Sequence, residues 1–170
     1  MLPMGRKLRT DPIELARQNW NERGWNTAAG GMAIVTSIMR VQQIFSGEVE
    51  AVLRPIGLTF ARYEVLMLLE CSRSGQLPLG KIGERLQVHP ASVTNAVDRL
   101  ESDGLVTRAP NPHDGRSTLA SITRAGRKVA ASASVTLNHH AFGAVALTAA
   151  EQSDAFVLLG KIRHAAGDFD

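Results

Sequence analysis

Apolar positions recur at helical spacing along most of this chain, and one short stretch departs from that rhythm. Ile34, Ile38, Val41, Phe45, Val49 and Val52 fall three or four residues apart, the stripe of one long helix. Pro55 and Gly57 end it, and the Gly30-Gly31 pair reads as the break before it. Upstream, Asp11-Pro12 marks a helix start, with Asp as cap and Pro at the first helical position. That helix runs to about Gly24, and Ile13, Leu15, Trp20 and Trp25 are its apolar content. Thr59 caps a third helix carrying Phe60, Tyr63, Leu66, Met67 and Leu69.

After a break at Gly75 and Pro78, a short helix around 80–87 contributes Ile82 and Leu86, and a second spans 90–103, stopped by Gly104. The rhythm then changes. Two extended runs, at 105–108 and 117–123, flank APNPHDGR, whose Asp114-Gly115 pair predicts a hairpin turn because Gly readily takes positive φ. Helical spacing returns from a Thr123 cap to about Gly143, with Val129, Ala133, Val135 and Leu137. Thr148 and Glu151 form a capping box for a last helix with Phe156, Leu159, Ile162 and Ala166 on its apolar face. The expected class is mostly α with a small β-hairpin.

A chain of 170 residues, 44% hydrophobic and 21% charged, can bury a substantial core and is neither disordered nor fibrous in composition. Its net charge of +3 is compatible with a nucleic-acid partner, and its distribution is more informative. Arg6, Lys7 and Arg9 stand near the start without an acid among them, and Arg108, Arg116, Arg124, Arg127 and Lys128 cluster around the hairpin against Asp114 alone. A single cysteine, Cys71, excludes an internal disulfide and fits a reducing cytosol. With Arg73 nearby, it is expected to be a buried, unreactive thiol. No signal-peptide core and no run near the ~20 apolar residues of a membrane span are present, so a cytoplasmic protein without a membrane partner is expected.

Residues 79–103, LGKIGERLQVHPASVTNAVDRLESD, have the pattern of a helix-turn-helix. Val93, Ala96, Val97 and Leu100 share the inward face of the second helix, while Ala91, Ser92, Thr94, Asn95, Asp98 and Arg99 face out, after His89 and Pro90 at its start. Compact hydroxyls and amides, with alanine and threonine methyls, suit the major groove; the bland alternative is a capped amphipathic surface helix. The following hairpin has the place of a wing. Asn111, His113, Asp114 and Arg116 at its tip are set to reach the backbone or minor groove, and Arg108 and Arg124 to meet phosphates. Asp98, a carboxylate among DNA-facing groups, is expected to pair with Arg116 or another wing arginine and orient it, or else to be merely solvated.

The stretch from Leu58 to Lys128 resembles the MarR family of winged-helix regulators, through LT at 58–59, IGERLQV at 82–88, VTNAVDRLESDGLVTR at 93–108 and PNPHDGRSTLASIT at 110–123. Asp114 and Arg116 match the family's wing Asp-x-Arg, although Gly115 stands where many relatives carry a second basic residue. The resemblance implies helices for dimerisation at 1–56 and 124–170, a winged helix-turn-helix DNA-binding domain at 57–123, and a homodimer on a pseudo-palindromic double-stranded operator. The helix before residue 26 resembles an extension found in part of the family. The resemblance also implies a repressor released by a small aromatic or phenolic effector. Trp20, Trp25, Arg40, Tyr63 and His139 are the candidate lining residues, each with a plain core or surface role as the alternative.

No cofactor is implied. Adjacent His139 and His140 point about 100° apart on a helix and cannot easily share a metal. With no Cys cluster, phosphate loop or nucleophile–base set, an enzyme is not expected. A winged-helix module for protein–protein contact, without DNA binding, is the alternative from another class.

Overall fold

The computed structural model describes residues 8–170, so Arg6 and Lys7 of the basic N-terminal group lie outside it. Helix α1 (Pro12–Glu22) starts as its sequence dictates, with the Asp11 carboxylate accepting from the Ile13 amide at 2.9 Å. Helix α2 (Asn26–Leu53) has 28 residues, about 42 Å at 1.5 Å per residue. It begins ahead of Gly30-Gly31 and passes through them, so the expected break there is absent. Both glycines hold helical backbone, at a cost of about 1 kcal/mol each relative to Ala. A 3-10 turn, Arg54–Ile56, and left-handed Gly57 (φ 76°) end α2 where Pro55 and Gly57 predict.

Helix α3 (Phe60–Glu70) is capped twice at its start. The Thr59 hydroxyl accepts from the Arg62 amide, and Glu50 of α2 reaches across to the Phe60 amide at 3.2 Å. Helices α4 (Leu79–Leu86) and α5 (Pro90–Ser102) follow at the expected positions. Between α3 and α4 lies a strand not predicted from the sequence, β1 (Gln76–Pro78), which pairs antiparallel with β3. Strands β2 (Val106–Asn111) and β3 (Asp114–Ile122) complete a three-stranded sheet in the order β1-β3-β2. Helix α6 (Arg124–His140) starts at Thr123, whose hydroxyl accepts from Gly126 N and lies within hydrogen-bond distance of Gly104 O and Leu105 O. Gly126 itself must be glycine, because a Cβ there would run into the Leu105 carbonyl and the Ile122 side chain. After the 3-10 turn Phe142–Ala144 comes α7 (Ala149–Ala165), with the capping box of Thr148 and Glu151 in place.

One core gathers Leu53, Leu66, Leu69, Ile82, Val93, Val97, Leu100, Val106, Ala120 and Leu137, all essentially inaccessible. It lies wholly between Val49 and Ala141. Fully burying each Leu, Ile or Val contributes about 1.5–3 kcal/mol, so this core is what holds α5 and the sheet at a fixed angle. The Arg127–Glu70 ion pair and the bond between Tyr63 Oη and Ser134 Oγ (3.0 Å) tie α6 to α3 beside it.

Candidate nucleic-acid interface

Helix α5 presents the two faces its sequence predicts. Val93 (2% exposed), Val97 and Leu100 (both 0%) point into the core, and Ala91, Ser92, Thr94, Asn95, Asp98 and Arg99 are all exposed. His89 caps the helix, its Nδ1 accepting from the Ala91 amide at 3.2 Å, so the Nε2 edge is left to face outward. Pro90 fills the first helical position, where an amide hydrogen would have no partner. Thr94 donates its hydroxyl to Pro90 O at 3.1 Å, which leaves the methyl as its free end. At the turn before α5, Gln87 (φ 54°) is the single non-glycine residue with positive φ among the described residues.

Two open clefts flank α5. One, of about 630 Å³, lies toward α4 between Leu79, Gly83, Gln87 and Thr94. The other, of about 610 Å³, lies toward α3 between Thr59, Ser92, Asn95 and Arg99. The second is floored by Arg62, whose guanidinium donates to Asp103 Oδ2 (3.0 Å) and Gly57 O (2.5 Å) and so joins both ends of the unit. Arg62 and Glu50 were not singled out by sequence reasoning. Their partners lie 41 and 10 residues away, beyond any local pattern.

The hairpin turn falls on Pro112-His113, not on Asp114-Gly115. Gly115 lies in β3 and its φ is not positive. The tip is built from side-chain bonds: Asn111 Oδ1 accepts from His113 N (3.0 Å), Asp114 Oδ1 from Arg116 N (3.1 Å), and Asn111 Nδ2 donates to Ser117 Oγ (2.8 Å). Asn111, expected to reach outward, is therefore turned into the hairpin, while Asp114 orients the backbone leading to Arg116. Arg116, His113 and Arg124 are exposed, and the arginines make no ion pair among the described residues.

Asp98 pairs with a wing arginine, but the partner is Arg108 and not Arg116. Arg108 Nη1 lies 2.5 Å from Asp98 Oδ1, and its Nε donates to Glu101 Oε2 at 2.7 Å. The Arg108 amide also donates to Glu101 Oε1 at 3.1 Å. Arg108, expected at phosphates, is thus engaged at the surface by two carboxylates of its own chain. Its hydrogen bonds hold the Glu101 carboxyl below the usual carboxylate range.

The five residues proposed for an effector pocket are not brought together around a cavity. Tyr63 is 7% exposed, stacked on Phe60 and bonded to Ser134 in the core. Trp20 and Trp25 meet edge to face at the α1–α2 corner, with ring centroids 5.3 Å apart. Arg40 is exposed midway along α2, and His139 is exposed and packs against His140. Cys71, expected to be buried, is exposed at the end of α3, where the chain turns away from the core.

The sequence pattern of the MarR family matches residues 58–118. The chain is 33% identical over 89 residues to the transcriptional repressor IacR of Pseudomonas putida, a match covering 52% of each. It thus spans about half the length of the curated relatives it matches. It is 57% identical to the crystal structure of Sco5413, a MarR family transcriptional regulator from Streptomyces coelicolor. That match has a TM-score of 0.76 and covers 83% of this chain and 98% of that one. A mutant MarR from E. coli complexed with operator DNA is 26% identical, with a TM-score of 0.72 over 79% of this chain and 96% of that one.

Proposed function

Since the chain belongs to the MarR family, whose named members are transcriptional regulators and not enzymes, we propose that it is a sequence-specific DNA-binding repressor acting in the cytoplasm as a homodimer. The observation that carries this reading is α5. A rigidly packed helix offers Ala91, Ser92, Thr94 and Asn95 outward, with the free arginines Arg99, Arg116 and Arg124 around it. Asn95 can bond the N6/N7 edge of adenine, and the Ala91 and Thr94 methyls can touch thymine. The His89 edge, Pro90 and Ser92 sit at the helix start, where the positive end of the helix dipole favours phosphate. His113 and Arg116 at the wing tip follow the adjacent backbone or minor groove, and Arg124 a phosphate.

Dimerisation follows from the apolar surface the single chain leaves uncovered on α2 and α7, which includes Ile34, Ile38, Phe45, Phe156 and Leu159. Two copies of α5 then meet half-sites about 34 Å apart on a double-stranded pseudo-palindrome.

The repressor is released by a small aromatic or phenolic acid. Such a ligand acts only by preferring a geometry in which the two recognition helices are misplaced. Trp20 and Trp25 form the aromatic corner closest in chemistry to that role. A thermal-shift screen of aromatic acids is expected to find stabilisation that a Trp20→Ala/Trp25→Ala variant loses; no stabilisation by any acid counts against release by this class.

The DNA reading is tested by selecting genomic duplexes with purified protein and measuring their affinity across salt. One palindromic site is expected, with steep salt dependence and loss in an Asn95→Ala/Arg116→Ala variant. A folded dimer that enriches no duplex would instead favour a protein-binding winged module.

A further inference from the structure

Arg108 stands on β2 and Asp98 and Glu101 on α5, so their contacts join the recognition helix to the wing. The geometry is that of a fork held on three sides: Nη1 on Asp98 Oδ1 at 2.5 Å, Nε and Nη2 on Glu101 Oε2 at 2.7 and 2.5 Å, and the Arg108 amide on Glu101 Oε1 at 3.1 Å. The Arg108 side chain is 33% exposed and the two carboxylates 50% and 35%, so the contacts stand at the surface, and what sets them apart from a single surface pair is that they are multidentate. The three groups sum to one negative charge on the flank of a surface otherwise furnished with free arginines.

We infer that Arg108 is a positioning residue of the recognition surface: through Asp98 and Glu101 it fixes the angle between α5 and the wing, and it contacts no phosphate. This rests on the DNA-binding reading above and adds a division of labour among the arginines. Arg116, Arg124 and Arg99 carry the phosphate attraction. Arg108 instead sets where Arg116 lands relative to the bases read by α5. The surplus negative charge of the triad disfavours phosphates that approach in any other register, an element directed against wrong sites.

The test uses the full-length protein on the duplex it selects, after wild type has been shown to bind; absence of wild-type binding refutes the DNA reading and not the role of Arg108 within it. Arg108→Ala is expected to weaken selected-site binding about tenfold while leaving the slope of log affinity against log salt unchanged, whereas Arg116→Ala reduces that slope by about one. Arg108→Lys, which keeps the charge but not the fork, is expected to restore little. Asp98→Asn/Glu101→Gln, nearly isosteric, frees Arg108: binding to unrelated DNA and the salt slope should rise, and the ratio of selected to unrelated affinity should fall. Should Arg108→Ala not fold, the double variant decides alone. A slope lowered by one in Arg108→Ala, full rescue by Lys, or a double variant with unchanged slope and ratio would each overturn the proposal.

Discussion

The middle of this chain and its two ends have opposite relations to their own apolar residues. From Val49 to Ala141 the large side chains close over one another, and Leu53, Leu66, Leu69, Ile82, Leu100 and Leu137 are each fully buried. The ends are as rich in apolar residues but bury almost none. Helices α1 and α7 contain no buried residue, and α2 buries only Ala29 before it reaches Val49. Ile34 is 56% exposed, Phe156 71% and Leu158 60%. A helix apolar on more than one side, as α7 is, is stable in water only when something covers it. The middle encloses its own core. The ends leave an apolar surface open, which the proposed second copy would cover.

That contrast can be broken most severely from inside. Leu66→Ala should lower stability by about 2–5 kcal/mol in denaturant titration, since the methyls removed are wholly enclosed. Polar replacement at the ends should do something different in kind. Phe156→Ser/Leu158→Ser is expected to leave the near-ultraviolet signature of the winged core intact, yet convert the protein to a monomer in sedimentation and weaken operator binding by about 100-fold or more, because one half-site alone lacks its linked neighbour. Retention of a dimer by that variant would place the association elsewhere.

Gly126→Ala probes the seam where α6 leaves the winged unit. Its new methyl meets the Leu105 carbonyl, and a loss of about 1–3 kcal/mol is expected, measured by thermal unfolding. The smallest effect is electrostatic. Glu64, half-buried on α3, has its carboxyl pushed above the usual range by desolvation. A raised pKa means the folded state binds the proton more tightly, so the ionised group lowers stability above that pKa, and the penalty fades as pH falls through it. Glu64→Gln should therefore raise Tm by a degree or two at pH 7, on the order expected for a few tenths of a kcal/mol, and by less near pH 4. Glu101 behaves oppositely. Its pKa is held down by Arg108, so the stability it adds is present above the unfolded value and is lost only as acid titrates through the lower folded one.

What could be read from the sequence was whatever depended on local period and capping. The division of α5 into two faces, the caps at Asp11, Thr59, Thr123 and Thr148, and the order of the helices all follow from neighbours three or four residues away. What could not be read depends on partners brought close by the fold. Three residues ending in Pro78 become a strand only because β3 lies alongside. The Asp114-Gly115 pair is a turn signal in isolation, but Asn111 and Asp114 each bond a backbone amide two residues on, and this places the turn between them. Gly30-Gly31 looked like a break, although the surrounding alanines and methionine propagate the helix through it. Tyr63 carries the chemistry of a ligand site, and only packing against Phe60 and Ser134 reveals it as core. The pairing of Arg108 with Asp98 and Glu101 likewise needed the turn between α5 and β2 to be closed.

The most direct test of the account is a hydroxyl-radical footprint of the purified protein on its selected duplex. The account predicts two equally protected segments related by a dyad and about one helical turn apart, both lost together when Phe156 and Leu158 are made polar. A single protected segment, or two that survive in the monomer, would contradict the claim that the ends of the chain exist to pair two winged domains on DNA.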